Sequence, residues 1–260
     1  MSTLRVTTVQ AKLQWENAGK NLKHFSALLK SVKPNSTDVI VLPEMFSTGF
    51  SMNAKKLAEK MGGPSMQWMH KTAEEKNAVV CGSLIIEESG KYYNRLIWMT
   101  PGGVHAHYDK RHLFRMADEQ NYYHAGDKKL IILYKGWRLA TFICYDLRFP
   151  VWLRNQRDYD CAIVIANWPE KRSFAWKQLL TARAIENQTF YIGVNRVGKD
   201  GNAISYTGDT VALDPFGKKI SKTKAGVEQV ETITLDFDTL ENARHIFPVG
   251  NDADTFTIKF

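Results

Sequence analysis

The sequence is poor in the features that mark secreted, membrane-spanning or fibrous proteins. Three cysteines, Cys81, Cys144 and Cys161, occur in 260 residues. So odd and sparse a set excludes a disulfide framework of the secreted kind, points to a reducing compartment and leaves at least one thiol free. No stretch reaches the ~18 apolar residues of a membrane span. Leu4 to Ala11 alternates and is broken by Arg5, Thr7, Thr8 and Gln10, so no secretory leader is read there and a cytoplasmic location is expected. Low-complexity tracts, fixed-period repeats and Pro/Gly/Ser-rich linkers are missing, and a single domain over residues 1–260 is expected. There is an excess of basic charge, 35 Lys+Arg against 27 Asp+Glu, but no run of it. The densest spots, Lys55-Lys56, Lys110-Arg111, Lys128-Lys129 and Lys218-Lys219, are pairs with acidic residues between them. A polyanion needs that excess gathered on one face, so neither nucleic acid nor a membrane surface is expected as a partner.

What is present is a large apolar complement. Hydrophobic residues make up 44% of the chain, including seven Trp, ten Tyr and thirteen Phe. A chain of this length buries roughly 70–75% of its unfolded surface, enough to house them. Periodicity predicts strands at Leu4–Ala11 and Asp38–Leu42, with a helix at about Asn17–Ser31 between them. Helices are expected at about Asn53–Met61 and Ser65–Glu75. A meander follows at Ala78–Ile86, Tyr92–Thr100 and Val104–Asp109, its turns marked by Ser89-Gly90 and Pro101-Gly102-Gly103. The segment His112–Lys128 has no regular pattern and many aromatics, which suggests a functional loop. Strands are then expected at Leu130–Tyr134, Arg138–Cys144 and Cys161–Asn167, with a helix after Pro150 between the last two. Phe174–Gln188 reads as a helix with Ala175, Leu179, Ala182 and Ile185 on one stripe. Strands at Phe190–Asn195, Asp209–Leu213 and Glu228–Asp236 and a helix at Thr239–His245 complete the pattern. Strands alternating with helices and interrupted by hairpins specify an α/β sandwich of mixed sheets covered by helices.

Three of the expected strands end on a reactive group. Asp38-Val-Ile-Val-Leu-Pro-Glu44 delivers a carboxylate, the Val104–Asp109 strand delivers Lys110, and Leu139–Ile143 delivers Cys144 to the turn Tyr145-Asp-Leu-Arg-Phe-Pro150. Each alone has an ordinary reading: Cys144 as a buried apolar residue, Glu44 as a cap, Lys110 as a solvated cation. Together they make a chemical set, because open α/β sheets gather ligands at the carboxyl ends of their strands. A carboxylate can take the thiol proton and pass it to a leaving amine, while an ammonium stabilises an oxyanion. Cys81 and Cys161, inside apolar strands, read as core. His105 and His107 share a strand face, but no further ligand at metal spacing accompanies them, so no metal is expected. Arg183 and Glu186, three apart on one helix, read as a structural ion pair.

The blocks Leu42-Pro-Glu-Met-Phe46, Tyr108-Asp-Lys-Arg-His-Leu-Phe114 and Cys144-Tyr-Asp-Leu-Arg-Phe-Pro150, with Asn167-Trp-Pro169 and Thr181 to Gln188, resemble in order and spacing the motifs of the nitrilase (carbon-nitrogen hydrolase) superfamily. The resemblance implies a four-layer α-β-β-α sandwich with a Glu-Lys-Cys triad, here Glu44, Lys110 and Cys144, and a second glutamate best matched by Glu119. It implies a thioester mechanism needing no cofactor, with the backbone N–H of Tyr145 at the oxyanion. It also implies a homodimer or larger homo-oligomer packed through Val151–Arg157 and Phe174–Gln188. Phe46 to Phe50, Arg115 to Glu119 and Ser173 to Arg183 resemble the bacterial omega-amidase branch, whose substrates are small 2-oxo acid amides such as 2-oxoglutaramate and 2-oxosuccinamate. A carboxylate on the substrate calls for a cation, and Arg148 and Arg115 are the candidates, although Arg148 reads equally well as an arginine bracing the Cys144 turn. Phe46, Tyr122, Tyr123 and Trp168 are candidate pocket walls. The competing readings are a sibling activity (carbamoylase, aliphatic amidase or deaminated-glutathione amidase), a silent binding protein on the same fold, and a basic nucleic-acid binder.

Overall fold

A computed structural model describes residues 3–259 of the chain. Its strands are β1 (Thr3–Gln10), β2 (Val39–Val41), β3 (Val79–Glu88), β4 (Lys91–Met99), β5 (His105–Asp109), β6 (Leu130–Tyr134), β7 (Trp137–Ile143), β8 (Cys161–Ala166), β9 (Phe190–Asn195), β10 (Val197–Lys199), β11 (Ser205–Thr207), β12 (Val211–Leu213) and β13 (Gln229–Asp236). The helices are α1 (Ala18–Leu28), α2 (Ala54–Leu57), α3 (Pro64–Lys76), α4 (Pro150–Leu153), α5 (Ser173–Asn187) and α6 (Phe237–Ile246). Two large mixed sheets form, one ordered β13-β1-β2-β3-β4-β5 and one ordered β12-β9-β8-β7-β6, with β10 and β11 as a separate hairpin. In the first sheet β1, β2 and β3 are parallel and β3, β4 and β5 form the expected antiparallel meander. In the second, β7, β8 and β9 are parallel.

The alternation of side chains along each strand explains the layering. Leu4, Val6, Val39, Val41, Val79 and Cys81 point to one core, which they share with Leu139, Ile163 and Ile165 of the other sheet. Val9, Ile40, Val80 and Ile97 point the other way, onto Phe25 of α1 and Met66, Met69 and Ala73 of α3. On the far side, α5 lays Trp176, Leu180 and Ala184 against the second sheet. Helices therefore cover both outer faces of paired sheets. Cys81 and Cys161 are wholly buried and unbonded, as their apolar surroundings predicted.

Four expectations need correction. The helix after Asn53 stops at Leu57, because Glu59 is pulled alongside β3, its N–H donating to the Ile85 carbonyl at 3.0 Å while its own carbonyl accepts from the Glu87 N–H at 2.8 Å. The helix after Pro150 lasts one turn, because Asn155 is tied to Asn187 at the end of α5 through an N–H to Oδ1 bond of 2.9 Å. The buried stripe of α5 is Trp176, Leu180, Arg183, Ala184 and Asn187, while Ile185 is exposed. Gly193 of β9 sets that orientation by leaving room for Leu180 and Trp176. The irregular segment contains two short 3-10 turns, Arg115–Ala117 and Glu119–Asn121. The β10–β11 hairpin, with strands of three residues each, is too short for a periodic signal.

Gly193 gives a direct test of this packing. A Cβ there would stand 2.4 Å from Leu180 Cδ1 and 2.8 Å from Trp176 Cζ2. Gly193→Ala is expected to lower stability by about 1–3 kcal/mol through overpacking. The measurement is the urea midpoint, and an unchanged midpoint would show that α5 shifts freely on the sheet.

Candidate active site

Each of the three strand ends turns sharply where it presents its side chain. After β2 the chain reaches Pro43-Glu44 and then Met45, whose φ is +43° and whose N–H donates to Ser83 Oγ at 2.8 Å. After β5, Lys110 is held by the Asn94 carbonyl, 3.0 Å from its N–H, and by the Gly126 N–H, 3.0 Å from its carbonyl. After β7, Cys144 takes a φ of +47°, a left-handed conformation that costs a non-glycine residue free energy and is characteristic of functional turns. Asp146 secures that turn. Its Oδ2 accepts from the Ile143 N–H at 3.0 Å and from Tyr108 Oη at 2.7 Å, and its Oδ1 accepts from the His112 N–H at 2.9 Å. One buried carboxylate thus ties the thiol's turn to the residues flanking Lys110.

Glu44, Lys110 and Glu119 are fully buried and meet in one array. Lys110 Nζ donates to Glu44 Oε1 at 2.9 Å and to both oxygens of Glu119 at 3.1 and 3.0 Å. Glu44 Oε1 also accepts from Asn94 Nδ2 at 2.8 Å, and its Oε2 accepts from the Asn167 N–H at 2.7 Å. Glu119 Oε2 accepts from the Phe114 N–H at 2.5 Å. Burial works against the Lys110 ammonium, but the charges of Glu119 and Glu44 outweigh it and hold the group protonated. Burial, reinforced by the charge of Glu44, raises the proton affinity of Glu119 against the pull of Lys110. The Cys144 thiol is raised well above its ordinary value, first by burial and then by the negative charge of Glu44, while Lys110 opposes the rise. Cys144 at rest therefore keeps its proton.

Cys144 forms part of the wall of a cavity of about 800 Å³, whereas Glu44, Lys110 and Glu119 lie behind it. Of the candidate substrate contacts, Tyr145, Arg148 and Trp168 line this cavity. Phe46 and Arg115 do not. Phe46 belongs to the helix-side core, edge-on to Phe25 at 5.5 Å between centroids, in space left by Gly82. Arg115 is exposed, while its neighbours Phe114 and Met116 line the cavity. Tyr122 is exposed, and Tyr123 is buried with its hydroxyl donating to the Ser51 carbonyl, so neither is a wall. Arg183 does pair with Glu186, at 3.1 Å, and also donates to the Leu147 carbonyl behind the cysteine turn. His105 and His107 are not part of any group of three or more His, Cys, Asp or Glu suited to a metal among the described residues.

Sequence reasoning missed Asn94, Arg172 and the two segments that complete the cavity, Trp15-Glu16 and Asp200–Tyr206. Asn94 carried a usable signal, an amide in the middle of a strand that is otherwise largely apolar. The other segments come from loops and a three-residue hairpin, and reach the cavity only through tertiary folding.

A family model described as carbon-nitrogen hydrolase matches residues 5–245. The chain belongs to the carbon-nitrogen hydrolase family. It is 44% identical over 260 residues to the omega-amidase YafV of Escherichia coli, covering 99% of this chain and 100% of that protein. It is 30% identical to the 2-oxoglutaramate amidase of Bacillus subtilis, covering 95% of this chain and 96% of that one. Among solved structures, a CN-hydrolase superfamily protein from Xanthomonas campestris with an arsenic adduct in its active site superposes with a TM-score of 0.97 at 40% identity, each chain covered completely. The two mixed sheets under helices are the sandwich of this carbon-nitrogen hydrolase family, and the chain is an amide-hydrolysing enzyme.

Two measurements test this geometry. A free thiol ionises near about 8.5, and a raised acid titrates later, so the ultraviolet thiolate band of the protein minus that of Cys144→Ser is expected to stay absent up to about pH 9. A band already present at neutral pH would show a preformed thiolate instead. Asp146→Asn, which replaces one of two accepting oxygens by a donor, is expected to lower both the urea midpoint and kcat; unchanged values of both would remove Asp146 from the account of the turn.

Proposed function

We propose that this enzyme is an omega-amidase, hydrolysing the terminal amide of small 2-oxo dicarboxylate monoamides such as 2-oxoglutaramate to the acid and ammonia. The observation that carries this reading is the buried Glu44–Lys110–Glu119 array set behind a thiol that alone of the four reaches the cavity. It is supported by the resemblance along nearly the full chain to an omega-amidase and to a 2-oxoglutaramate amidase.

In this mechanism Glu44 takes the Cys144 proton as sulfur attacks the amide carbonyl, and the oxyanion is met by the Lys110 ammonium and the Tyr145 N–H. Collapse of the tetrahedral species breaks the C–N bond, and the nitrogen leaves as ammonia with the proton from Glu44. A water then gives a proton to the same carboxylate and attacks the thioester, and the proton returns to sulfur as the acid departs. Glu119 acts as a positioning residue that fixes Lys110. Arg148 and Trp168 contribute to the substrate wall.

The rest of the reading is one carbon-nitrogen hydrolase domain acting on a small molecule, in the cytoplasm and without a cofactor. The three unbonded thiols support the reducing compartment. A homodimer is supported by apolar side chains left exposed on the segments expected to pack, Val151 at 54%, Phe174 at 76% and Ile185 at 50%.

Ammonia release from a panel containing 2-oxoglutaramate, an N-carbamoyl amino acid, a simple aliphatic amide and deaminated glutathione tests the assignment. The expected result is highest kcat/KM on 2-oxoglutaramate, and a clear preference for any of the others would replace it. Cys144→Ala is expected to fold normally and to lose at least about 10⁴-fold in turnover, since the covalent route is gone. Substantial residual turnover would sink the nucleophile assignment.

A further inference from the structure

Arginines in this structure are mostly spoken for. Arg5 pairs with Asp38, Arg95 with Asp109, Arg138 and Arg244 with Asp160, and Arg183 with Glu186. Two on the cavity wall differ. Arg148 and Arg172 have aromatic partners, Arg148 Cζ lying 5.2 Å from the Trp168 ring centroid and Arg172 Cζ 5.1 Å from that of Phe114. Neither guanidinium has a carboxylate or a side-chain hydrogen bond among the described residues. The cavity's acidic groups do not compensate them. Glu16 accepts from Ser51 Oγ at 2.7 Å, and Asp200 accepts from Tyr206 Oη at 2.9 Å and from the N–H groups of Asn202 and Ile204 at 2.9 and 3.0 Å. Arg148 and Arg172 are the arginines of this wall, and among the described residues neither meets a carboxylate.

The two arginines differ in setting. Arg148 is exposed and Arg172 is half-buried. Arg172 also sits in a braced frame: its carbonyl accepts from Trp168 Nε1 at 2.8 Å, and the Phe114 ring it lies on is 5.0 Å from the ring of Tyr145, next to the nucleophile. A guanidinium fixed against a ring keeps its donor edge directed and loses little side-chain freedom on binding, and partial burial strengthens its hold on an anion.

We propose that Arg172 is the residue that binds the carboxylate of the substrate, with Arg148 in a secondary role. The inference rests on the amidase reading above and narrows it. It replaces Arg115, which is off the wall, and subordinates Arg148, the other candidate on the cavity.

The test compares a charged with a neutral substrate. Kinetics on 2-oxoglutaramate and on pentanamide are measured for the wild-type enzyme and for Arg172→Met, Arg148→Met and Arg172→Lys. Arg172→Met is expected to lower the ratio of kcat/KM for 2-oxoglutaramate to that for pentanamide by about 30-fold or more, mainly through KM, as loss of a charge-assisted hydrogen bond requires. Arg148→Met is expected to lower that ratio less, and Arg172→Lys to restore part of it. Equal losses on both amides would make Arg172 a brace for Phe114 and Trp168 and overturn the proposal, as would an unchanged ratio. Calorimetric binding of 2-oxoglutarate to Cys144→Ala with and without Arg172→Met gives a second readout independent of turnover. If 2-oxoglutaramate is not hydrolysed but 2-oxoglutarate binding still depends on Arg172, the omega-amidase reading fails and the carboxylate site stands. If hydrolysis is normal and binding is unaffected by the substitution, the omega-amidase reading stands and the Arg172 proposal fails.

Discussion

A lysine ammonium with no exposure to solvent, held between two carboxylates, is the constraint around which the rest of this molecule is arranged. Removing three charges from water is costly, and the attraction among them repays that cost only where every polar atom finds a partner in good geometry. The structure supplies those partners from five separate places: Asn94 from β4, the Asn167 N–H after β8, the Phe114 N–H, and the two carboxylates after β2 and in the 3-10 turn at Glu119–Asn121. None of them is near another in sequence except Phe114 and Glu119. The paired sheets are therefore more than a container. They are the device that brings strand ends from opposite sheets to within hydrogen-bond distance, β2 and β5 on one side and β7 and β8 on the other.

The same dependence extends to buried polar bonds next to the array. Asp146 joins the Cys144 turn to Tyr108 and His112, which bracket Lys110. Ser83 and the Gly126 N–H fix the backbone at Met45 and Lys110. Among the non-glycine residues with positive φ are Met45, Asp118 and Cys144, the first two beside Glu44 and Glu119. Such conformations persist only where surrounding structure over-determines them. Strain at the site and the hydrogen bonds that hold its charged groups are two sides of one arrangement.

This also marks the boundary between what could be read from the sequence and what could not. Strands such as Val39–Val41 and Cys161–Ala166 announce themselves by continuous apolar residues, and a reactive residue following such a strand is legible because the strand's direction fixes where it goes. Glu44, Lys110 and Cys144 were singled out that way. Asn94, in the middle of a strand, and Arg172, in a short 3-10 turn, were not, since neither stands at a strand's end. Phe46 shows the converse error. It follows Glu44 closely, yet two residues along a sharp turn are enough to point a ring into the opposite core, against Phe25 and Trp68. The stripe on α5 failed for a similar reason: several faces of that helix are apolar, and the choice among them was made by the absence of a side chain at Gly193.

The three thiols show why burial and reactivity are compatible here. Burial raises the proton affinity of Cys81 and Cys161, and it raises that of Cys144 as well, with Glu44 adding to the effect. Proton affinity thus does not distinguish the nucleophile from the two core cysteines. What distinguishes Cys144 is that it alone feels the charges of a buried carboxylate and a buried ammonium on one side and faces a cavity on the other. A stored thiolate would add a further negative charge to a site that already holds two carboxylates against one cation, at a steep desolvation cost. In the proposed mechanism the proton passes to Glu44 as sulfur attacks, so one negative charge disappears from the carboxylate as another appears on the substrate oxygen. The net charge of the buried array is unchanged, and it is redistributed toward Lys110 rather than created. A nucleophile that ionises only in the act of bonding is the form that a dry, doubly acidic site can sustain.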